Sequence, residues 1–299
     1  MDPVTELFDT FLRSLHQVVL DADEEDRGRG VLGGVEGREA AEDVEIGIDR
    51  VAETLFGETL DAARTRHPSL LEARVYTEHN HQGWGSSHPK IRIDLDPVDG
   101  SDEYLKRIRN SIYSAVSARD AETLRPLAAA TLDVHAGMIY SVGEDGKVTV
   151  EFLRSGRRTE QRPSSHVALS DPGVVGAAYM GRIKYLSPWM GAFQEVLSRP
   201  EHAGISLHGK GGSFIYAFIA AGVFSFYAMP DEPVDEILPG LAFAELAGFP
   251  VLVQEEDKTW VDFDLRTHGT WDRVPFLVAA CTRELADALT KAISEATAR

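Results

Sequence analysis

Residues 211–229 carry no formal charge, and an uncharged run of that length either crosses a bilayer or is enclosed in a large core. Gly222 divides the run, and its halves differ in period. Phe214, Ile215, Phe218 and Ile219 recur at helical spacing, whereas Val223-Phe224-Ser225-Phe226-Tyr227 is aromatic and β-prone. The pattern predicts a buried helix followed by a buried strand, and no membrane partner. Enclosing both needs a sizeable domain, which 299 residues, 43% of them hydrophobic and 26% charged, can supply.

Helical and strand patterns mix along the whole chain, which places it in the α/β or α+β class. An amphipathic helix is expected over residues 4–20, a charged Gly-rich loop over 23–37, and a long helix or a helix pair over 39–63 whose apolar stripe is interrupted by Asp43 and Asp49. Strands are expected over 73–76 and 91–95, a helix over 102–108, and strands over 112–116, 137–142 and 148–153, with Glu144-Asp145-Gly146 as a hairpin turn. The stretch Arg162-Pro163-Ser164-Ser165-His166 marks the expected boundary between lobes 1–165 and 166–299. The second lobe should hold a strand near 174–179, helices near 189–197, 238–247 and 284–296, and a strand over 275–281.

The formal charge of −18 disfavours a nucleic-acid partner, whose phosphates require clustered Lys and Arg, and no basic stripe exists. Cys281 is the only cysteine and Met1-Asp2-Pro3 lacks the marks of a signal peptide, so a reducing, cytoplasmic setting is expected.

The acids are informative where they meet apolar runs. Glu78 follows one strand, Asp96 and Asp99 follow another, and Asp235 precedes an apolar helix. Loops at strand ends gather side chains into one crevice. In Asp96-Pro97-Val98-Asp99-Gly100-Ser101, both carboxylates and the Val98 carbonyl could turn toward one cluster of cations, and oxygen-only ligands favour Mg2+ or Mn2+ over Zn2+. Gly100 and Ser101 would then present backbone N–H groups at a helix start, a position suited to phosphate. On spacing alone, a helix-capping turn explains the segment as well.

Several separated segments together resemble the inositol monophosphatase family, within the superfamily that includes fructose-1,6-bisphosphatase and 3′-phosphonucleotide phosphatases. Asp96-Pro97-Val98-Asp99-Gly100-Ser101 is similar to that family's D-P-[IVL]-D-G-[TS] signature. Glu78 lies upstream at nearly the usual distance, and Asp43 with Asp49 echoes an upstream D-x-x-x-x-x-D spacing. Asp235, Gly240, Glu245 and Gly248 echo the C-terminal block. The resemblance spans most of the chain. It implies a layered αβαβα sandwich of two packed lobes, and homodimers are common among relatives.

The resemblance also implies roles. Glu78, Asp96 and the Val98 carbonyl would hold one Mg2+, and Asp96, Asp99 and Asp235 a second, with Mn2+ as an alternative and a third ion near Glu78. Asp49 and Ser101 would activate the attacking water, Gly100 and Ser101 would bind phosphate, and no covalent phosphoenzyme is needed. The substrate would be a small phosphorylated metabolite such as a sugar, cyclitol or polyol phosphate. The loop His208-Gly209-Lys210-Gly211-Gly212-Ser213 loosely matches a G-[ST]-A region, which makes Lys210, Gly212 and Ser213 candidate substrate contacts, with Ala228 where relatives carry a sugar-binding Glu. His79 stands where relatives have a second acid, and Val234 where they have Trp. Alternatives are a 3′(2′)-phosphonucleotide phosphatase using Tyr216, Trp84 and Trp189 as a stacking surface, a zinc hydrolase using His79, His81 and His88, and a non-catalytic sugar-phosphate or metal-binding protein.

Overall fold

In the computed structural model, which describes residues 2–34, 44–108, 111–179, 188–269 and 273–297, helix α1 (Pro3–Glu24) starts for local reasons. Asp2 caps it by accepting from the Thr5 amide at 3.0 Å, and Pro3 opens the first turn with a backbone already suited to a helix. Its stripe of Leu7, Phe8, Phe11, Leu12 and Leu15 is buried, as the spacing predicts. Helix α2 (Gly47–Arg66) packs on it, with the Phe11 and Phe56 rings edge to face at 4.9 Å.

The helix expected over 39–63 begins later than its periodicity suggests. Val44–Ile46 is a strand, β2, paired antiparallel with β1 (Val31–Gly34). The Asp49 carboxylate accepts the Ile46 amide at 2.8 Å, which fixes the helix start at Gly47. Asp43 lies outside the described residues, as do the side chains of Val44 and Trp189.

The chain divides into two compact units, Met1–Glu160 and Gln161–Arg299. The first is built on an eight-stranded sheet in the order β10-β9-β8-β7-β6-β5-β3-β4. Its strands are β3 (Ala73–Thr77), β4 (Asn80–Gly85), β5 (Ile91–Asp99), β6 (Tyr113–Asp120), β7 (Pro126–Asp133), β8 (Met138–Gly143), β9 (Val148–Phe152) and β10 (Arg157–Gln161), with the short helix α3 (Ser101–Leu105) after β5. From β5 to β9 the sheet is an antiparallel meander, while β3 and β5 run parallel.

Strand alternation gives this sheet one apolar and one polar face. Ile93, Leu95, Val116, Ala118, Ala128, Ala130 and Leu132 join α1 and α2 in one core. The intervening side chains include Asp94, Asp96, Ser117, Arg119 and Thr131, all buried. Arg92 donates to Asp94 at 2.7 Å and stacks over the Tyr76 ring at 4.4 Å, so charge on this face is paired within the sheet.

The second unit carries a six-stranded sheet in the order β12-β11-β13-β16-β14-β15. Its elements are β11 (Val175–Ala177), α4 (Pro188–Leu197), β12 (Ser206–His208), α5 (Phe214–Ala220), β13 (Phe226–Pro233), α6 (Val234–Ala247), β14 (Val251–Gln254), β15 (Trp260–Asp262), α7 (Leu265–His268), β16 (Arg273–Ala280) and α8 (Arg283–Thr297). Phe276 to Ala280 are consecutively buried, so β16 is covered on both faces. Helix α8 packs on β16 and on α4, while α5 and α6 pack together and on the β13–β16 pair. The uncharged run therefore holds a buried helix, α5, and the start of a buried strand, β13, which begins at Phe226 rather than at Val223, an exposed residue of the connecting turn. Among the described residues no helix is long and apolar enough to cross a membrane. Each unit contributes helix and sheet layers of the kind the αβαβα expectation requires.

Phe56 is fully buried between the two helices and the sheet. Phe56→Ala is expected to lower unfolding free energy by about 3–5 kcal/mol, measured as an earlier denaturant midpoint with an unchanged slope.

Candidate active site

The Asp96 segment owes its shape to Pro97 and Gly100. Asp96 pairs with Ala115 and Asp99 with Tyr113, so β5 holds one residue more than β6 across this interval. That is a β-bulge, and Pro97, which has no amide to give to the ladder, lies inside it. Gly100 then adopts φ 99°, where a Cβ would lie 2.1 Å from the Ser111 carbonyl oxygen. Only glycine fits there. The chain turns through it into α3, with Ser101 as the first helical residue.

Ser101 Oγ lies 2.9 Å from Asp49 Oδ1 and 2.9 Å from the Val98 carbonyl oxygen. One hydroxyl proton cannot serve both acceptors. Either Ser101 donates to the Asp49 carboxylate, or it donates to Val98 and accepts from a protonated Asp49. Asp49 is fully buried. Burial pushes its carboxyl up to about 7, against the opposing pull of the His79 cation, the Ile46 amide and Ser101, while Glu78 adds to the rise. The structure thus brings Asp49 and Ser101, both expected at the site from sequence, into hydrogen-bond contact.

Glu78 and His79 form the two-residue tip of the β3–β4 hairpin, where Thr77 pairs with Asn80. His79 Nδ1 lies 3.4 Å from Glu53 Oε1 and its Nε2 lies 3.6 Å from Glu78 Oε1. Burial, the largest single influence on the imidazole, favours the neutral form. The summed attraction of Glu78, Glu53 and Asp49 outweighs it and raises the pKa to about 9. Thr77 donates to the same Glu53 oxygen at 2.7 Å. Glu53 was not among the residues expected at the site, although its position four after Asp49 on α2 puts both on one helix face.

In the second unit, Asp235 is half-buried in the first turn of α6, directly after β13. Gly212 has φ 113° and precedes Ser213, whose side chain is fully buried; Lys210 is half-buried just upstream. Ala228 is fully buried within β13. Of the proposed base-stacking residues, Tyr216 is fully buried in α5 and Trp84 packs against the core of the first unit.

Glu78, Asp96, Asp99 and the Val98 carbonyl offer only hard oxygen donors, which suits Mg2+ or Mn2+ in chemistry. Among the described residues, however, no three His, Cys, Asp or Glu side chains are drawn together as a coordination group. That observation also leaves His79, His81 and His88 without a zinc-type cluster. His79 is engaged with Glu53 and Glu78, and His88 is exposed.

No family model matches the sequence and no curated protein matches it. Its structure does match solved ones. The Thermotoga maritima IMPase superposes with a TM-score of 0.69 at 16% identity, over 100% of this chain and 99% of that one. The extragenic suppressor protein SuhB of Bartonella henselae gives 0.67 at 15% identity, over 98% of each chain. An IMPase/NADP phosphatase complexed with Mg2+ and phosphate gives 0.66 at 13% identity, over 97% of this chain and 94% of that one. Matches that cover both units at this similarity fix the architecture, and the chain has the inositol monophosphatase fold.

Proposed function

We propose that the chain is a Mg2+-dependent phosphomonoesterase that hydrolyses a small sugar, cyclitol or polyol phosphate by direct attack of water. The observation that carries this reading is the Ser101 hydroxyl, 2.9 Å from the Asp49 carboxylate and 2.9 Å from the Val98 carbonyl. A protein that merely bound a phosphate or a cation would not need a buried acid–hydroxyl pair poised to accept a proton. The solved IMPase/NADP phosphatase of the same fold, complexed with Mg2+ and phosphate, supports the choice of cation.

In this reading Glu78, Asp96, Asp99, Asp235 and the Val98 carbonyl hold two Mg2+ ions. When bound, the ions supply positive charge to the phosphoryl oxygens and make a water easier to deprotonate. Ser101 orients that water, and the buried Asp49 carboxylate accepts the proton. The Ile46 amide donates to Asp49 Oδ2 and restrains the carboxylate from one side, while Ser101 meets its other oxygen. Gly100 and Ser101 are assigned to the phosphoryl group, and Lys210 with Gly212 to the remainder of the substrate. Ala228, expected from sequence as a substrate contact, is fully buried within β13 and makes no contact with substrate in this reading.

Phosphate release from a panel of sugar, inositol and nucleotide monophosphates is expected to require Mg2+ and to vanish in EDTA; equal release in EDTA would sink the metal mechanism. Asp96→Asn and Asp235→Asn should each abolish turnover while circular dichroism stays native. Asp49→Asn should also lose activity, yet raise the thermal midpoint of the metal-free protein by about 2–4 °C. It keeps an acceptor for Ile46 and removes a buried charge. A lower midpoint would show that the fold itself relies on the ionised carboxylate.

A further inference from the structure

Helix α6 lacks one rung of its backbone hydrogen-bond ladder just beyond Asp235. Pro239, four residues on, has no amide proton to contribute to the helical ladder. The next rung joins the Glu236 carbonyl to the Gly240 amide, and a side chain from outside the helix straddles it. Ser213 donates its hydroxyl proton to Glu236 O at 2.8 Å and accepts from the Gly240 amide at 3.2 Å. A hydroxyl set into the rung of a helix opens or bends that turn. The approach is possible only because residue 240 is glycine, since a Cβ there would lie 2.4 Å from the Tyr216 ring and 2.8 Å from the Ser213 carbonyl oxygen.

The loop preceding Ser213 is tied to the same corner from the strand side. The Gly212 amide donates to the Tyr227 hydroxyl, which in turn donates to the buried Glu232 carboxylate at 3.3 Å. A Cβ on Gly211 would lie 2.8 Å from that hydroxyl. Glu232 belongs to β13, three residues before Asp235. Two polar anchors, Ser213 on α6 and Tyr227–Glu232 on β13, therefore bracket the turn that presents Asp235.

We infer that Ser213 is the positioning residue for Asp235: its hydroxyl, built into the Glu236–Gly240 rung, sets the turn that aims the Asp235 carboxylate and couples that turn to the Lys210–Gly212 loop. The inference rests on the reading of Asp235 as a Mg2+ ligand. Ser213 then acts through the protein rather than by touching substrate: its only hydroxyl proton goes to the Glu236 carbonyl, and it accepts from the Gly240 amide.

The test is calorimetric titration of the full chain with Mg2+ alone, with thermal midpoints measured in parallel. Ser213→Thr and Ser213→Val add nearly the same bulk and differ in the hydroxyl. Ser213→Thr should bind Mg2+ within about twofold of wild type, while Ser213→Val and Ser213→Ala should bind about fivefold more weakly, the effect of one lost hydrogen bond. If both larger residues prevent folding, Ser213→Ala against wild type decides the matter. Equal Mg2+ affinity with and without the hydroxyl, whatever the midpoints, overturns the inference. Asp235→Asn serves as the control. If it binds Mg2+ as wild type does, the ligand reading falls; if it weakens binding while Ser213→Val matches Ser213→Thr, only the positioning inference falls.

Discussion

The hydrogen bond between Ser101 and Asp49 joins residues 52 positions apart and locks the end of β5 to the start of α2. Each side of that bond has its own cause. Asp49 is oriented by the Ile46 amide, and Ser101 is delivered by a bulge at Pro97 and a left-handed turn at Gly100. Without either device the hydroxyl and carboxylate would not meet. The same bulge lets Asp96, Val98 and Asp99 depart from strict strand alternation.

Electrostatics beside this bond centre on His79. Asp49, Glu53 and Glu78 surround His79, and their combined field overcomes the burial that would otherwise neutralise the imidazole. Elsewhere on the polar face, Asp94 has Arg92 as an immediate partner.

Much of this was legible in the sequence. Pro97 and Gly100 are punctuation with a physical meaning, and the change of period at Gly222 predicts α5 and β13 within the uncharged run. What escaped has physical reasons too. Strand β4, Asn80-His81-Gln82-Gly83-Trp84-Gly85, lacks alternation because it is half-exposed and held by backbone pairing to β3. The apolar stripe before α2 runs on through β2, so periodicity alone could not locate a helix start set by a side chain three residues inside it. Glu53 could have been found from its helical spacing to Asp49. The insertion of Ser213 into α6 could not, because it joins positions 23 residues apart through backbone atoms that leave no mark on composition.

The central claim is that the Asp96 segment is a metal site, and diffraction from crystals soaked in Mn2+ in place of Mg2+ tests it most directly. The account predicts an anomalous peak within coordination distance, about 2.0–2.2 Å, of the Asp96 carboxylate and the Val98 carbonyl, and its loss in Asp96→Asn. A peak only at other carboxylates, or a peak undiminished in Asp96→Asn, would contradict it.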